Sequence, residues 1–305
     1  MTQSEMIHEI NRLKKEKNAV ILAHYYQSPI IQDLADFVGD SYQLSKEASK
    51  TDADMIVFCG VHFMAETAKI LAPEKTVLLP AKDAGCPMAD TITYTDLKQY
   101  KEKNPDRKIV CYVNSTAEVK ALSDVCVTSS NAEKIIRHFE GEKLMYVPDK
   151  NLGTYLADRH QLDLDVWPGF CCIHNNLTVE QVQTMKAKYP DYEFIVHPEA
   201  QLDVVNMADY VGSTKGLLEY VKSSSSKGFI VGTEEGILHQ MKKQTTGKDI
   251  VVLTEKLLCK SMKKTELKTL YEALRDDKHQ IEVDQTIAVQ ARKALDLMLE
   301  LSETS

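Results

Sequence analysis

The chain has 305 residues and a net charge of −8, with 43% hydrophobic and 27% charged residues, a balance that fits a globular protein of two or three domains and excludes a disordered one. Without clustered Lys and Arg, a broad footprint on nucleic acid or an anionic membrane is not expected. No apolar run approaches the ~20 residues of a membrane span and no signal-peptide core opens the chain, so a cytoplasmic location is expected. Seven cysteines, an odd number, then point to free thiols, metal ligands or catalysis rather than a disulfide framework.

The first stretch, "SEMIHEINRLKKEKNAVILAHYY", reads as a charged amphipathic helix, a turn and an apolar strand. "YTDLKQYKEKNPDRKIVCYVN" and "TVEQVQTMKAKYPDYEFIVHPE" repeat it, and each strand runs into a polar triplet: Tyr25-Tyr26-Gln27, Tyr112-Val113-Asn114 and His197-Pro198-Glu199. Next come "ADFVGDS", "DVCVTSS" and "ADYVGST", ending on Ser41, Ser129 and Thr214. These are spaced by 88 and 85 residues, as are His24, Tyr112 and His197. Two landmarks holding the same offsets mark an internal repeat.

A third set, "MIVFCGVHFM", "LMYVPDKNLG" and "FIVGTEEGI", adds apolar strands that enter Gly-bearing loops. After a fourth set, "TVLLPAKDAG", "LDVWPGF" and "IVVLTEKLL", come Cys86, Cys171 and Cys259, 85 and 88 residues apart. The pattern predicts an α/β protein of three homologous parallel-sheet units about a pseudo-threefold axis, at 1–92, 93–176 and 177–262. A C-terminal helical segment, 263–305, packs on them. "SSSSKG" is expected to join a helix to a strand inside the third unit.

Equivalent strand ends then converge, and so can Cys86, Cys171 and Cys259. Three thiolates around one point suit zinc with a fourth ligand, or an iron-sulfur cluster with three of four irons held by protein, and either leaves a coordination position open. The alternative is that they pack as small hydrophobes, the role expected for Cys59, Cys111 and Cys126.

"ILAHYYQ", "DFVGDSYQL", "FCGVHFMAETAKIL", "GCPMAD", "YVNS", "VTSSNA", "VPDKNLG", "WPGFCCIH", "IVHPEA", "GSTKG" and "VGTEEGI" together resemble the quinolinate synthase family over nearly the whole chain. The resemblance implies a central active site and a 4Fe-4S cluster on Cys86, Cys171 and Cys259 with one open iron. It further implies condensation of iminoaspartate with dihydroxyacetone phosphate to quinolinate, phosphate and water in de novo NAD biosynthesis. L-aspartate oxidase or dehydrogenase is the expected source of the imine. Two departures stand out: Met262 occupies the position where longer relatives continue C-x-x-C-x-x-C, and Asn175-Asn176-Leu177 follows His174 where relatives often carry an acid and an aromatic.

Ring formation from these substrates requires repeated proton transfer. Tyr26, Tyr112 and Glu199 are the candidates, with His197 beside them, and Glu199 is expected to be a base tuned upward by burial. His24 and His197 would donate to a carboxylate or phosphate, and Asn114 would orient a carboxylate, with Val113 and Pro198 completing their triplets. Ser41, Ser129, Ser213 and Thr214 would offer hydroxyls and helix-terminal amides, and His174 would face the pocket. The plainer reading makes Ser41, Ser129 and Thr214 helix caps and the tyrosines a wet cover for the core. His62, Glu66, Asp149, Asn151 and Glu234 are read as caps and domain contacts. Two other functions fit the thiols: a zinc-thiolate aldolase or hydrolase, and a non-catalytic iron-sulfur sensor.

Overall fold

The computed structural model describes residues 1–303. Helix and strand alternate in one order three times. The first run is α1 (Gln3–Glu16), β1 (Ala19–His24), α2 (Pro29–Leu34), β2 (Phe37–Gly39), α3 (Ser41–Lys50), β3 (Met55–Cys59), α4 (His62–Leu71) and β4 (Thr76–Leu78). The second is α5 (Tyr94–Lys103), β5 (Arg107–Tyr112), α6 (Ala117–Ala121), β6 (Val125–Val127), α7 (Ala132–Ile136), β7 (Lys143–Val147), α8 (Lys150–His160) and β8 (Leu164–Val166). The third is α9 (Val179–Lys188), β9 (Glu193–Val196), α10 (Leu202–Val205), β10 (Tyr210–Val211), α11 (Thr214–Ser223), β11 (Gly228–Gly232), α12 (Ile237–Gln244) and β12 (Asp249–Val252). As expected, "SSSSKG" links α11 to β11.

Each run folds into its own four-stranded parallel sheet, with orders β2-β1-β3-β4, β6-β5-β7-β8 and β10-β9-β11-β12. Register repeats as well as order. Leu22 faces Phe37, Val110 faces Val125 and Ile195 faces Tyr210, always 15 residues apart. Ala19 faces Met55, Arg107 faces Lys143 and Glu193 faces Phe229, always 36 apart.

An aspartate locks each edge strand. The carboxylates of Asp36, Asp124 and Asp209 accept the backbone N–H of Ile21, Ile109 and Phe194 at 2.8, 2.7 and 2.7 Å. Their own amides return the bond to the same residues' carbonyls at 2.9, 3.0 and 2.8 Å. A lysine from the unit's first helix then reaches each carboxylate: Lys14 at 2.6 Å, Lys101 at 3.9 Å and Lys186 at 3.1 Å. The helices themselves start from equivalent reciprocal caps at Thr2, Thr93 and Thr178.

The central strands are apolar on both faces because helices cover both faces. In β1, Ile21 and Ala23 join one core with Ile10 and Leu13 of α1, whereas Leu22 joins the other. Two further helices complete the packing. Leu270 and Leu274 of α13 (Leu267–Asp276) close the core under α1. α14 (Gln285–Glu303) buries Ala291, Ala294, Leu295 and Met298 against α4, α6 and β6, and so spans the first two sheets. Its Arg292 caps the end of α4 through the carbonyls of Ile70 and Leu71, at 3.2 and 2.8 Å. Thr304 and Ser305, the end of the expected C-terminal segment, lie outside the described residues. None of the described helices is long and apolar enough to cross a membrane.

Candidate active site

In a 2-1-3-4 sheet the connections leave the first strand in opposite directions, which opens a crevice at its carboxyl end. The three crevices meet. One cavity with about 770 Å³ of empty space is lined by His24, Tyr26, Asp40 and Ser41 from the first unit, Tyr112, Asn114, Ser129, Cys171, Cys172 and His174 from the second, and His197, Glu199, Thr214 and Glu234 from the third. Cys86 and Cys259 stand on the same wall.

The repeat offset aligns His24-Tyr25-Tyr26, not Tyr25-Tyr26-Gln27, with the other two triplets. Gln27 turns into the core, where its amide donates to the Met262 carbonyl at 2.7 Å. In the outer triplets the histidine Nδ1 accepts an amide two residues on: Tyr26 N–H to His24 at 3.1 Å and Glu199 N–H to His197 at 3.3 Å. An accepting Nδ1 leaves the proton on Nε2 of a neutral ring. Burial, with His197 and Lys263 adding to it, pushes His24 down to about 3; burial, only partly offset by Glu199, pushes His197 down to about 4. Both imidazoles are therefore neutral donors near neutral pH, and His197 Nε2 lies 3.2 Å from the Ser129 hydroxyl.

A chain of hydrogen bonds joins the units. Tyr112 donates its hydroxyl to Glu199 Oε1 at 2.6 Å, and His174 Nδ1 lies 2.8 Å from Glu199 Oε2. His174 Nε2 is 2.9 Å from the Thr233 hydroxyl, which is 2.6 Å from that of Tyr26; Tyr26 in turn is 2.9 Å from the Thr214 hydroxyl. With the His174 proton on Nδ1, every link has one donor and one acceptor. Burial opposes ionisation of Glu199, but His197 and the bonds from His174 and Tyr112 outweigh it and hold the carboxyl well below its usual range. This corrects the expectation of a carboxyl tuned upward: its neighbours stabilise the anion more than burial destabilises it. Tyr26 and Tyr112 are raised well above the usual phenol value by burial and by Glu199, so both stay protonated.

The thiols fit a metal group. Cys86, Cys171 and Cys259 are free and partly exposed on the shared cavity, whereas Cys59, Cys111 and Cys126 are fully buried core residues as expected. Burial pushes Cys86 up to about 12 and raises Cys171 and Cys259, so metal binding would displace their protons. Cys171, His174 and Glu199 also place ligand atoms within 4.8 Å of one another and could hold a single ion.

Local packing places several other expected residues away from the central cavity or from the helix caps. Val113 is 1% exposed and spends its amide on the Val127 carbonyl at 2.9 Å, so its side chain belongs to the core. Pro198 and Ser213 line a neighbouring cavity between the second and third sheets rather than the central one. The helix caps are Asp40 and Ser213, one residue before Ser41 and Thr214, which leaves the Ser41 and Thr214 hydroxyls on the central cavity. Ser129 is not a cap either, since Asn131 precedes α7. Asp149 does cap α8, as expected.

The Asn114 Oδ1 atom is buried without a partner, an unmet acceptor on the cavity wall. Among the described residues no lysine or arginine lines this cavity. Sequence reasoning missed Thr233 and Asp40 and set Glu234 aside. Thr233 carried no signal beyond its place in "VGTEEGI", because its role depends on residues of other units.

Fold and site together describe an α/β protein in which one cavity gathers three free cysteines and a hydrogen-bonded chain of titratable side chains. The chain belongs to the quinolinate synthase family: the family model described as Quinolinate synthetase A protein matches residues 8–300. It is 51% identical over 302 residues to the quinolinate synthase of Alkaliphilus metalliredigens, covering 99% of this chain and 100% of the relative. Identity to the quinolinate synthase of Caldicellulosiruptor saccharolyticus is 50% over 295 residues, 96% of this chain and 97% of the relative. For that of Clostridium perfringens it is 47% over 294 residues, 96% and 98%.

Proposed function

We propose that this cavity condenses iminoaspartate with dihydroxyacetone phosphate to quinolinate, phosphate and water, as a step of de novo NAD biosynthesis. The observation that carries the reading is that one cysteine from each repeat and a hydrogen-bonded chain crossing the repeats share one cavity. Cys86, Cys171 and Cys259 would hold a 4Fe-4S cluster. When bound, it supplies an open iron that acts as a Lewis acid for dehydration.

The protein's own groups do the rest. His24 and His197 donate Nε2–H bonds to substrate oxygens, and the Ser41, Ser129 and Thr214 hydroxyls add neutral donors. The Asn114 amide takes a substrate N–H or O–H on its unpaired oxygen. Glu199, ionised, is the final acceptor: Tyr26 takes a substrate proton as its own moves to Thr233, that of Thr233 to His174 Nε2 and that of His174 Nδ1 to Glu199, which returns a proton to substrate directly or through Tyr112. Burial of these groups excludes water from reactive imines. An oxidase or dehydrogenase acting on aspartate would supply the imine.

Anaerobic assembly of the cluster followed by addition of both substrates tests the reading. Quinolinate should form only with iron and sulfide bound. Cys86→Ala, Cys171→Ala and Cys259→Ala should each abolish the visible cluster absorption, and Cys126→Ala should keep it. The proximity of Cys171, His174 and Glu199 favours one competing outcome, zinc without acid-labile sulfide, which would replace this reading with a zinc-thiolate enzyme.

A further inference from the structure

The cysteine loops are tied to the ends of the third strands in all three units, but not in the same way. The amide just past each strand bonds to a carbonyl of the loop: His62 N–H to Ala84 at 2.8 Å, Lys150 N–H to Gly169 at 2.7 Å and Glu235 N–H to Leu257 at 2.9 Å. The residues immediately before those amides are Val61, Asp149 and Glu234, separated by the repeat offsets of 88 and 85. Two of the three units thus place a buried acid where the first places valine.

Glu234 is 1% exposed. Its Oε1 accepts the backbone N–H of Cys259 at 3.1 Å, and its Oε2 accepts that of Gly236 at 2.7 Å. Lys263, four residues beyond Cys259, approaches Oε1 at 2.9 Å and also donates to the Tyr26 carbonyl at 2.5 Å. One carboxylate therefore grips Cys259 on one side and, through the ammonium group, the end of the first sheet on the other. A Cβ at Gly236 would come within 2.8 Å of the Lys263 ammonium and 2.9 Å of Glu234 Oε2, so the pair is closely enclosed.

We infer that the Glu234 and Lys263 ion pair is a positioning device that fixes the Cys259 backbone, and with it the third thiolate, for a metal group. The inference rests on the cluster reading above. It explains why a charge is kept in a nearly dry place, where an ion pair by itself adds little stability. Partners outside the ligand set set ligand orientation, and losing one typically weakens metal binding ~10- to 100-fold. Glutamine at 234 retains one acceptor oxygen where the carboxylate has two, so it cannot serve both amides and leaves Lys263 without a counter-ion.

The test follows iron release from anaerobically assembled full-length protein to a chelator, with electron paramagnetic resonance of the reduced cluster. Glu234→Gln and Lys263→Met should release iron about tenfold faster than the unchanged chain, with an altered resonance. Lys263→Arg, which keeps the cation, should restore the rate. Glu66→Gln is the control, since Glu66 is also a buried acid but accepts the amide of Ala117 at 3.2 Å rather than a cysteine's; it should leave rate and resonance unchanged. Because Lys263→Met leaves Glu234 in place, it keeps the test valid if Glu234→Gln does not fold. Wild-type release and resonance in Lys263→Met would overturn the inference, as would equal acceleration in Glu66→Gln. Failure of the unchanged chain to bind iron and sulfide, or an intact chromophore in Cys259→Ala, would instead overturn the cluster reading and this inference with it.

Discussion

The hydroxyls of Tyr26 and Thr233 lie 2.6 Å apart although 207 residues separate them in the chain. The contact joins the first sheet to the third and connects Tyr26 to His174. Thr233→Val keeps the shape and removes the hydroxyl. We expect kcat to fall about 10²-fold, the lower range for a lost general acid-base contribution, with the cluster retained. Tyr26→Phe should do the same, and the double variant should be little worse than the poorer single one, because both cut one path. Initial rates of quinolinate formation check this; additive losses would count against a shared path.

Asn114→Leu removes the unmet acceptor at similar volume. It should raise KM about tenfold for the substrate that donates to it, equivalent to ~1.4 kcal/mol of lost binding, while sparing cluster absorption. Steady-state kinetics with each substrate varied in turn identify which one that is.

The edge aspartates predict a stability effect remote from the chemistry. Asp124→Ala removes the acceptor from the Ile109 amide and should cost ~1 to 3 kcal/mol, read from the urea midpoint. Asp36→Ala and Asp209→Ala should act in the same direction. A midpoint unchanged in all three would show that the repeated bond is not stabilising.

The pH dependence follows from the depressed histidines. Their folded values of about 3 and 4 lie below the ~6.5 of an unfolded histidine, so the unfolded chain takes up protons that the folded chain refuses. Stability is thus full above pH ~6.5 and falls as acid is added, by up to ~1.4 kcal/mol per pH unit for each ring, down to the folded values. Glu199, lowered in the folded state, adds its own loss below about pH 4.5. Urea midpoints of cluster-free protein at pH 7 and 5 check the sign, and His24→Gln should flatten the slope.

Much of the architecture was legible because the repeat is written in residue types that serve the same purpose each time. Apolar strands must be buried on both faces, and two landmarks with offsets of 88 and 85 residues, joined by cysteines spaced 85 and 88, locate equivalent strand ends. Asp36, Asp124 and Asp209 keep the same offsets inside segments already aligned, so their role was available to the same reading. Thr233 was not, because a hydroxyl gains its function only from what other units bring against it. The helix caps slipped by one residue because Asp40 and Ser213 compete with Ser41 and Thr214 for the same turn, and sequence pattern does not resolve which side chain folds back. Glu199 was misjudged in sign because burial was weighed without His197 and the two hydrogen-bond donors, His174 and Tyr112, that outweigh it.

The proposed proton conduit, with its links on three separate sheets, would also act as a check on assembly. Slight drift of one sheet parts Tyr26 from Thr233, or Glu199 from Tyr112, while leaving every helix intact. Turnover should therefore vanish at denaturant concentrations where the far-ultraviolet circular dichroism is still that of the folded chain, because the proton route fails before any of its supports do.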